Sequence, residues 1–160
     1  MTDNEPTTYN LLFVCTGNTC RSPMAAAIAR AELARRGWTH VDVKSAGTAT
    51  TAGHPASEHT IDVLREQGID VSDHQTTPIA PELVQAADLI LVMNPSHLFT
   101  VSDLGGAEKV AVITDFIDDA ETDGVEDPFG ADADAYRRTY EQLQRAISSL
   151  LGRLEPILSP

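Results

Sequence analysis

Four apolar runs alternate with helical patterns along the chain, and this alternation limits the fold more than any other feature of the sequence. YNLLFV (9–14), VDVKSAG (41–47), ADLILVM (87–93) and KVAVIT (109–114) read as strands. LLFV and LILV are apolar at every position, which predicts strands buried on both faces. Ser22 and Pro23 predict an N-cap and a first-turn proline, Met24, Ala27, Ile28 and Ala31 follow at helical spacing, and Gly37 ends the run. Ser57 to Gln67 reads as a second helix and Ser96 to Leu104 as a short third. A last helix sets Tyr136, Tyr140, Leu143, Ile147, Leu150 and Leu154 on one face. The pattern predicts an α/β domain: a parallel sheet covered by helices on both faces, with its ligand beyond the carboxyl ends of the strands. Three polar segments fall at that end: the loops after Val14 and Ser45, and an acidic loop over 115–130.

The 160 residues suit one domain, expected over 9–160 behind a disordered leader at 1–8. The leader, MTDNEPTT, has neither a basic nor an apolar segment and does not read as a signal peptide. A formal net charge of −13, with Lys44 and Lys109 the only lysines, disfavours nucleic acid and anionic membrane surfaces as partners. The apolar runs are too short to span a bilayer. Two cysteines, Cys15 and Cys20, lie too close in sequence to staple distant parts of a fold, which favours a reduced, cytoplasmic protein. The five histidines show no metal-ligand spacing, so no metal site is expected. His40, His54, His59 and His97 read as surface residues, and Trp38 as packing where the chain returns to the sheet. Nothing in the sequence requires more than a monomer.

The segment Cys15-Thr16-Gly17-Asn18-Thr19-Cys20-Arg21 joins the first strand to the first helix. A loop curling into a helix start turns successive backbone N–H groups inward and makes an anion-binding concavity. Gly17 and Asn18 are residue types that tolerate the backbone angles of such a curl. Arg21 can clamp two phosphoryl oxygens with its planar fork. The same positive field favours the thiolate of Cys15, an in-line nucleophile that would carry the phosphoryl group covalently. Ser22 or Thr16 would donate to the sulfur and help it leave. The Gly-Lys-[Ser/Thr] ending of a nucleotide P-loop is absent.

These segments together resemble the low-molecular-weight protein tyrosine phosphatase family. VCTGNTCRSPMA is similar to its nucleophile loop, SAGT (45–48) with GHPAS (53–57) to its second loop, GIDVSDH (68–74) to a further segment, and EDPFG (126–130) to its Asp-Pro acid loop. The resemblance spans roughly residues 9 to 152 and implies a four-stranded parallel sheet. It also implies a two-step reaction without metal or cofactor, on a phosphorylated protein or small molecule. On these positions Cys15 is the expected nucleophile, Arg21 the phosphate clamp and Asp127 the acid for the leaving group. Thr16, Gly17, Asn18, Thr19 and Cys20 would line the anion cup, with Phe129 at its mouth. Ser22 would bond the thiolate, and Ser45 and His74 would support Asn18. Oxidation of Cys15 would be trapped by Cys20 as a disulfide.

Phosphotyrosine-directed members carry isoleucine or a similar residue where this chain has Thr19, and tyrosines where it has Phe129-Gly130. CTGNTCRSPM and DPFG are more similar to the family's protein arginine phosphatases. A planar phosphoguanidinium suits a slot with a β-branched, hydroxyl-bearing wall, and acidic groups at the mouth suit its positive charge. Protein phosphoarginine is therefore the expected substrate and phosphotyrosine the alternative. Two rivals stand apart: an arsenate reductase, whose thioredoxin-coupled forms need a further cysteine after Cys20, and a non-catalytic oxyanion-binding module. For Asp127, plain Asp-Pro turn chemistry competes with catalysis. Glu126, Asp118, Asp119 and Asp123 are rival acids that read better as a solvated loop. Tyr136 and Tyr140 read as packing residues.

Overall fold

Successive residues of a strand face opposite ways. Here that alternation divides the interior into two cores: Leu11 and Phe13 are buried on one side of the sheet, Leu12 and Val14 on the other. The computed structural model describes residues 8–117 and 123–158. All but Thr8 of the expected leader lies outside those residues, as do Asp118 and Asp119. The strand β1 (Tyr9–Cys15) is central, flanked by β2 (Val41–Gly47) and β3 (Leu89–Val92), with β4 (Val110–Val112) beyond β3. Every pairing is parallel, and Phe13 lies opposite Ser45 on one side and Leu91 on the other. The sheet is the four-stranded parallel one that the family resemblance implied.

Helices α1 (Arg21–Arg36), α2 (Glu58–Glu66) and α5 (Ala133–Leu158) cover one face. The shorter α3 (Pro81–Ala86) and α4 (His97–Val101) cover the other. Tyr136, Tyr140, Leu143, Ile147 and Leu150 of α5 are buried, and Leu154 is partly so, because their spacing keeps them on one stripe of the helix. Helix α1 ends where Gly37 turns left-handed, at φ 72°, and returns its N–H to the carbonyl of Ala34. Trp38 is then buried, with the Arg36 guanidinium 5.3 Å above its ring.

The elements differ from the sequence pattern in four places. Helix α3 was not predicted: its six residues bury only Val84, too little for a helical period to show. Helix α4 stops at Val101 and widens into a π-helical turn, Ser102–Gly106, that ends on glycines. The strand expected over 109–114 keeps only Val110–Val112 and tightens into a 3₁₀ turn, Ile113–Phe116. Ser22 does not cap α1, which begins at Arg21, because its hydroxyl is turned inward to sulfur. Among the described residues no helix is long and apolar enough to cross a membrane.

Candidate active site

The loop between β1 and α1 sits at the carboxyl end of the sheet, and Cys15, 2% exposed, forms its floor. Three donors surround the sulfur. The Ser22 hydroxyl is 2.9 Å away, and the backbone N–H groups of Asn18 and Ser22 point to Sγ at 3.3 and 3.4 Å. The single Ser22 proton has two acceptors within reach, the sulfur and the Ala46 carbonyl at 3.3 Å, and the sulfur is the nearer. This arrangement suits a thiolate, which accepts hydrogen bonds and has none to give. Helix α1 adds the positive end of its dipole.

One residue sets the curl of the loop. Asn18 is the only non-glycine among the described residues with a left-handed backbone, at φ 57°. Its amide Nδ2 donates to Ser22 Oγ at 2.8 Å and Ser45 Oγ at 2.9 Å, and its Oδ1 accepts from the Thr77 N–H. The Asn18 carbonyl accepts from His74 Nε2 at 2.9 Å. Burial is the main influence holding His74 below the usual histidine range. Gly17 does not share the left-handed angle expected of it, and a Cβ there would meet only Thr19 Oγ1, at 3.5 Å. Close approach instead falls on Gly47 at the end of β2, where a Cβ would come within 2.7 Å of the Thr16 carbonyl.

Arg21 is 3% exposed and forked by groups from distant segments. Its NH1 donates to Asn94 Oδ1, just beyond β3, and to the Val125 carbonyl at 3.1 Å. Its NH2 reaches Thr16 Oγ1 at 3.4 Å and lies 3.6 Å from Asp127 Oδ2. The Asp127 side chain is half exposed, and its Oδ1 also accepts the Phe129 N–H at 3.1 Å. Turn chemistry and proximity to the cup thus occur in one residue. Phe129 is 70% exposed, and Glu126 and Asp123 face solvent.

The segment carrying Asp127 is fastened just beyond β3 and to the 3₁₀ turn after β4. The Val125 N–H donates to the Met93 carbonyl at 2.7 Å, and the Gly124 N–H to Thr114 Oγ1 at 2.9 Å. Gly124 has φ 115°, and a Cβ there would lie 2.5 Å from Asn94 Nδ2 and 2.9 Å from the Met93 carbonyl. Gly124→Ala is therefore expected to cost about 1–3 kcal/mol of stability in urea unfolding. It should also lower turnover, because it displaces both Asn94 and the Val125 carbonyl from Arg21. Wild-type stability and turnover together would show that the segment yields without consequence.

Thr19 is half-buried, and its carbonyl accepts from the Ser57 N–H and from Thr60 Oγ1, each at 3.0 Å. Cys20 is buried beside α2 and α5. Its sulfur lies 3.4 Å from both Ser57 Oγ and Tyr136 Oη, and 3.5 Å from Thr19 Oγ1. Burial and the bond to Cys20 push Tyr136 up to about 12, so its hydroxyl stays protonated. Neither Cys15 nor Cys20 is in a disulfide, and both are buried.

Sequence reasoning missed Asn94, Val125, Ser57, Thr60 and Thr77, and it misplaced His97. That histidine is 5% exposed rather than on the surface. Burial, then the nearby Arg21, push it down to about 4 against the opposing pull of Asp127. The one available signal was position: Asn94 follows a buried parallel strand, at the end where ligands bind. Of the two hydroxyls expected at the sulfur, Ser22 is the one found there, and that of Thr16 meets His97 and Arg21. Among the described residues no three His, Cys, Asp or Glu side chains gather as a metal site.

Comparison with known proteins places this geometry. The sequence profile described as low molecular weight phosphotyrosine protein phosphatase matches residues 10–157. A protein-arginine-phosphatase of Bacillus subtilis is 34% identical over 148 residues, covering 91% of this chain and 97% of that protein. A solved low molecular weight protein tyrosine phosphatase from T. tengcongensis superposes with a TM-score of 0.85 at 38% identity, over 92% of this chain and all of that one. A solved arginine phosphatase variant, with its active-site serine phosphorylated, superposes with a TM-score of 0.86 at 34% identity, over 92% and 97% of the two chains. A profile that runs from the first strand to the last helix, over a four-stranded sheet of the same build, settles the relationship: this chain belongs to the low molecular weight phosphotyrosine protein phosphatase family.

Proposed function

We propose that the protein removes phosphate from phosphorylated protein side chains in the cytoplasm through a phospho-cysteine intermediate, with phosphoarginine as its preferred substrate. The observation that carries the chemistry is the convergence of three donors on Cys15 Sγ beside the buried Arg21 fork. The phosphoryl group enters the cup with its oxygens toward the loop amides and Arg21. The sulfur attacks phosphorus in line and the P–N bond breaks. Asp127, 3.6 Å from Arg21, gives its proton to the departing guanidine nitrogen. A water then attacks the phospho-cysteine and loses a proton to the Asp127 carboxylate. The S–P bond breaks, and the thiolate returns to its donors as orthophosphate leaves.

Three features support phosphoarginine. A relative at 34% identity is named a protein-arginine-phosphatase. Thr19 presents a short, β-branched, hydroxyl-bearing wall, and two hydrogen bonds pin its carbonyl. The exposed Glu126, next in sequence to Asp127, offers negative charge to a cationic side chain. Phosphotyrosine is the second reading, favoured by the relative at 38% identity that is named a tyrosine phosphatase.

The test is the ratio of kcat/KM for phosphoarginine and phosphotyrosine in matched peptides, since specificity is that ratio. It should favour phosphoarginine. Thr19→Ile should move it toward the aryl ester by about tenfold, the scale of a one-group change in a pocket wall. An equal or reversed ratio defeats the substrate assignment and leaves the Cys15 chemistry standing.

A further inference from the structure

Thr16 and His97 form a buried-to-exposed pair for which the reaction above has no use. His97 lies in α4, and its ring bridges Asn94 and Thr16. The backbone N–H of Asn94 points to Nδ1 at 3.2 Å, and a backbone amide can only donate. Nδ1 is therefore the bare nitrogen, and the proton sits on Nε2. Nε2 lies 2.9 Å from Thr16 Oγ1, which must accept. Oγ1 also accepts from Arg21 NH2 at 3.4 Å.

A hydroxyl has two lone pairs and one proton. With both lone pairs engaged, the Thr16 proton can only leave in the remaining direction. Among the described residues no acceptor takes it, and Thr16 is exposed, immediately after the nucleophile at the rim of the cup. We propose that the Thr16 hydroxyl donates to an oxygen of the bound phosphoryl group, and that His97 is the positioning residue that aims it. The donor adds to the loop amides and the Arg21 fork. Without a proton on Nε2 to accept, Thr16 could turn its own proton to the imidazole and be lost to the substrate. The inference rests on the phosphatase reading but not on which phosphorylated side chain is preferred.

The test uses the full chain with para-nitrophenyl phosphate as substrate and orthovanadate as transition-state mimic. Thr16→Val, which keeps the shape and removes the hydroxyl, should lower kcat/KM about tenfold and weaken vanadate binding by a similar factor, as loss of a hydrogen bond to a charged group does. His97→Leu should lose about as much, and the double variant should be no worse than His97→Leu alone. His97→Gln, whose amide can present an N–H toward Thr16, should recover most of the loss. Wild-type kinetics and vanadate affinity in Thr16→Val would overturn the proposal. So would single losses that multiply in the double variant, or a glutamine no better than leucine. Calorimetric vanadate binding reads the pair even in a chain with no turnover, which separates failure of this inference from failure of the phosphatase reading.

Discussion

Cys15→Ser should leave no measurable turnover on either phosphopeptide or para-nitrophenyl phosphate. Enzymatic accelerations begin at about 10⁶-fold, and removing the nucleophile forfeits the covalent route that supplies them. A serine hydroxyl is a far weaker nucleophile than a thiol. Ser22 Oγ is also held by the Asn18 amide and the Ala46 carbonyl, and Asn18 by Ser45, His74 and Thr77, so the loop keeps partners other than the sulfur. The variant should therefore fold normally and still bind phosphopeptide, now as a trapped complex. Binding without turnover in the wild-type protein would instead identify a non-catalytic anion module. A variant rate within about a hundredfold of wild type, well short of that scale, would place the nucleophile elsewhere.

Arg21→Lys should cost about 10³-fold in kcat, the upper range for removing one preorganised donor to developing charge. An ammonium is a single point charge and cannot span two phosphoryl oxygens in one plane. The change also leaves Asn94 Oδ1 and the Val125 carbonyl without the NH1 that now serves both. An unsatisfied buried acceptor costs about 1–3 kcal/mol, so the midpoint of urea denaturation should fall as well. The kinetic loss should appear equally in vanadate affinity, because the mimic needs the same fork. A kcat within about tenfold of wild type, far from the loss of an electrostatic clamp, would remove Arg21 from that role.

The loop from Cys15 to Arg21 was readable in the sequence as a strand-to-helix turn because its parts are consecutive: strand, cysteine, Gly-Asn, arginine, helix. The sheet was readable because LLFV and LILV send alternate residues into separate cores, a pattern no one-sided strand would show. The surroundings of Arg21 were not readable. Asn94 and Val125 lie 73 and 104 positions away, and Val125 acts through a carbonyl that every residue possesses. His97 looked like an ordinary surface histidine because its burial comes from packing against a loop 81 positions earlier. Ser22 shows a different ambiguity. Serine before proline suits a helix cap, but the same hydroxyl suits sulfur, and only the inward turn of the chain decides between them.

The floor and the rim of the site are built in unequal ways. Asn18 is tied to residues 22, 45, 74 and 77, so the cup draws its shape from several separate stretches of the chain. Asp127 rides on one short segment whose Gly124 and Val125 are held by Met93, Thr114, Gln142 and Arg21. In the proposed reaction, recognition of the oxyanion is thus a collective property, hard to alter one residue at a time, while leaving-group preference rests on fewer residues. Evolution could retarget such an enzyme by exchanging residues 123–130 and position 19 while its phosphate chemistry stayed constant.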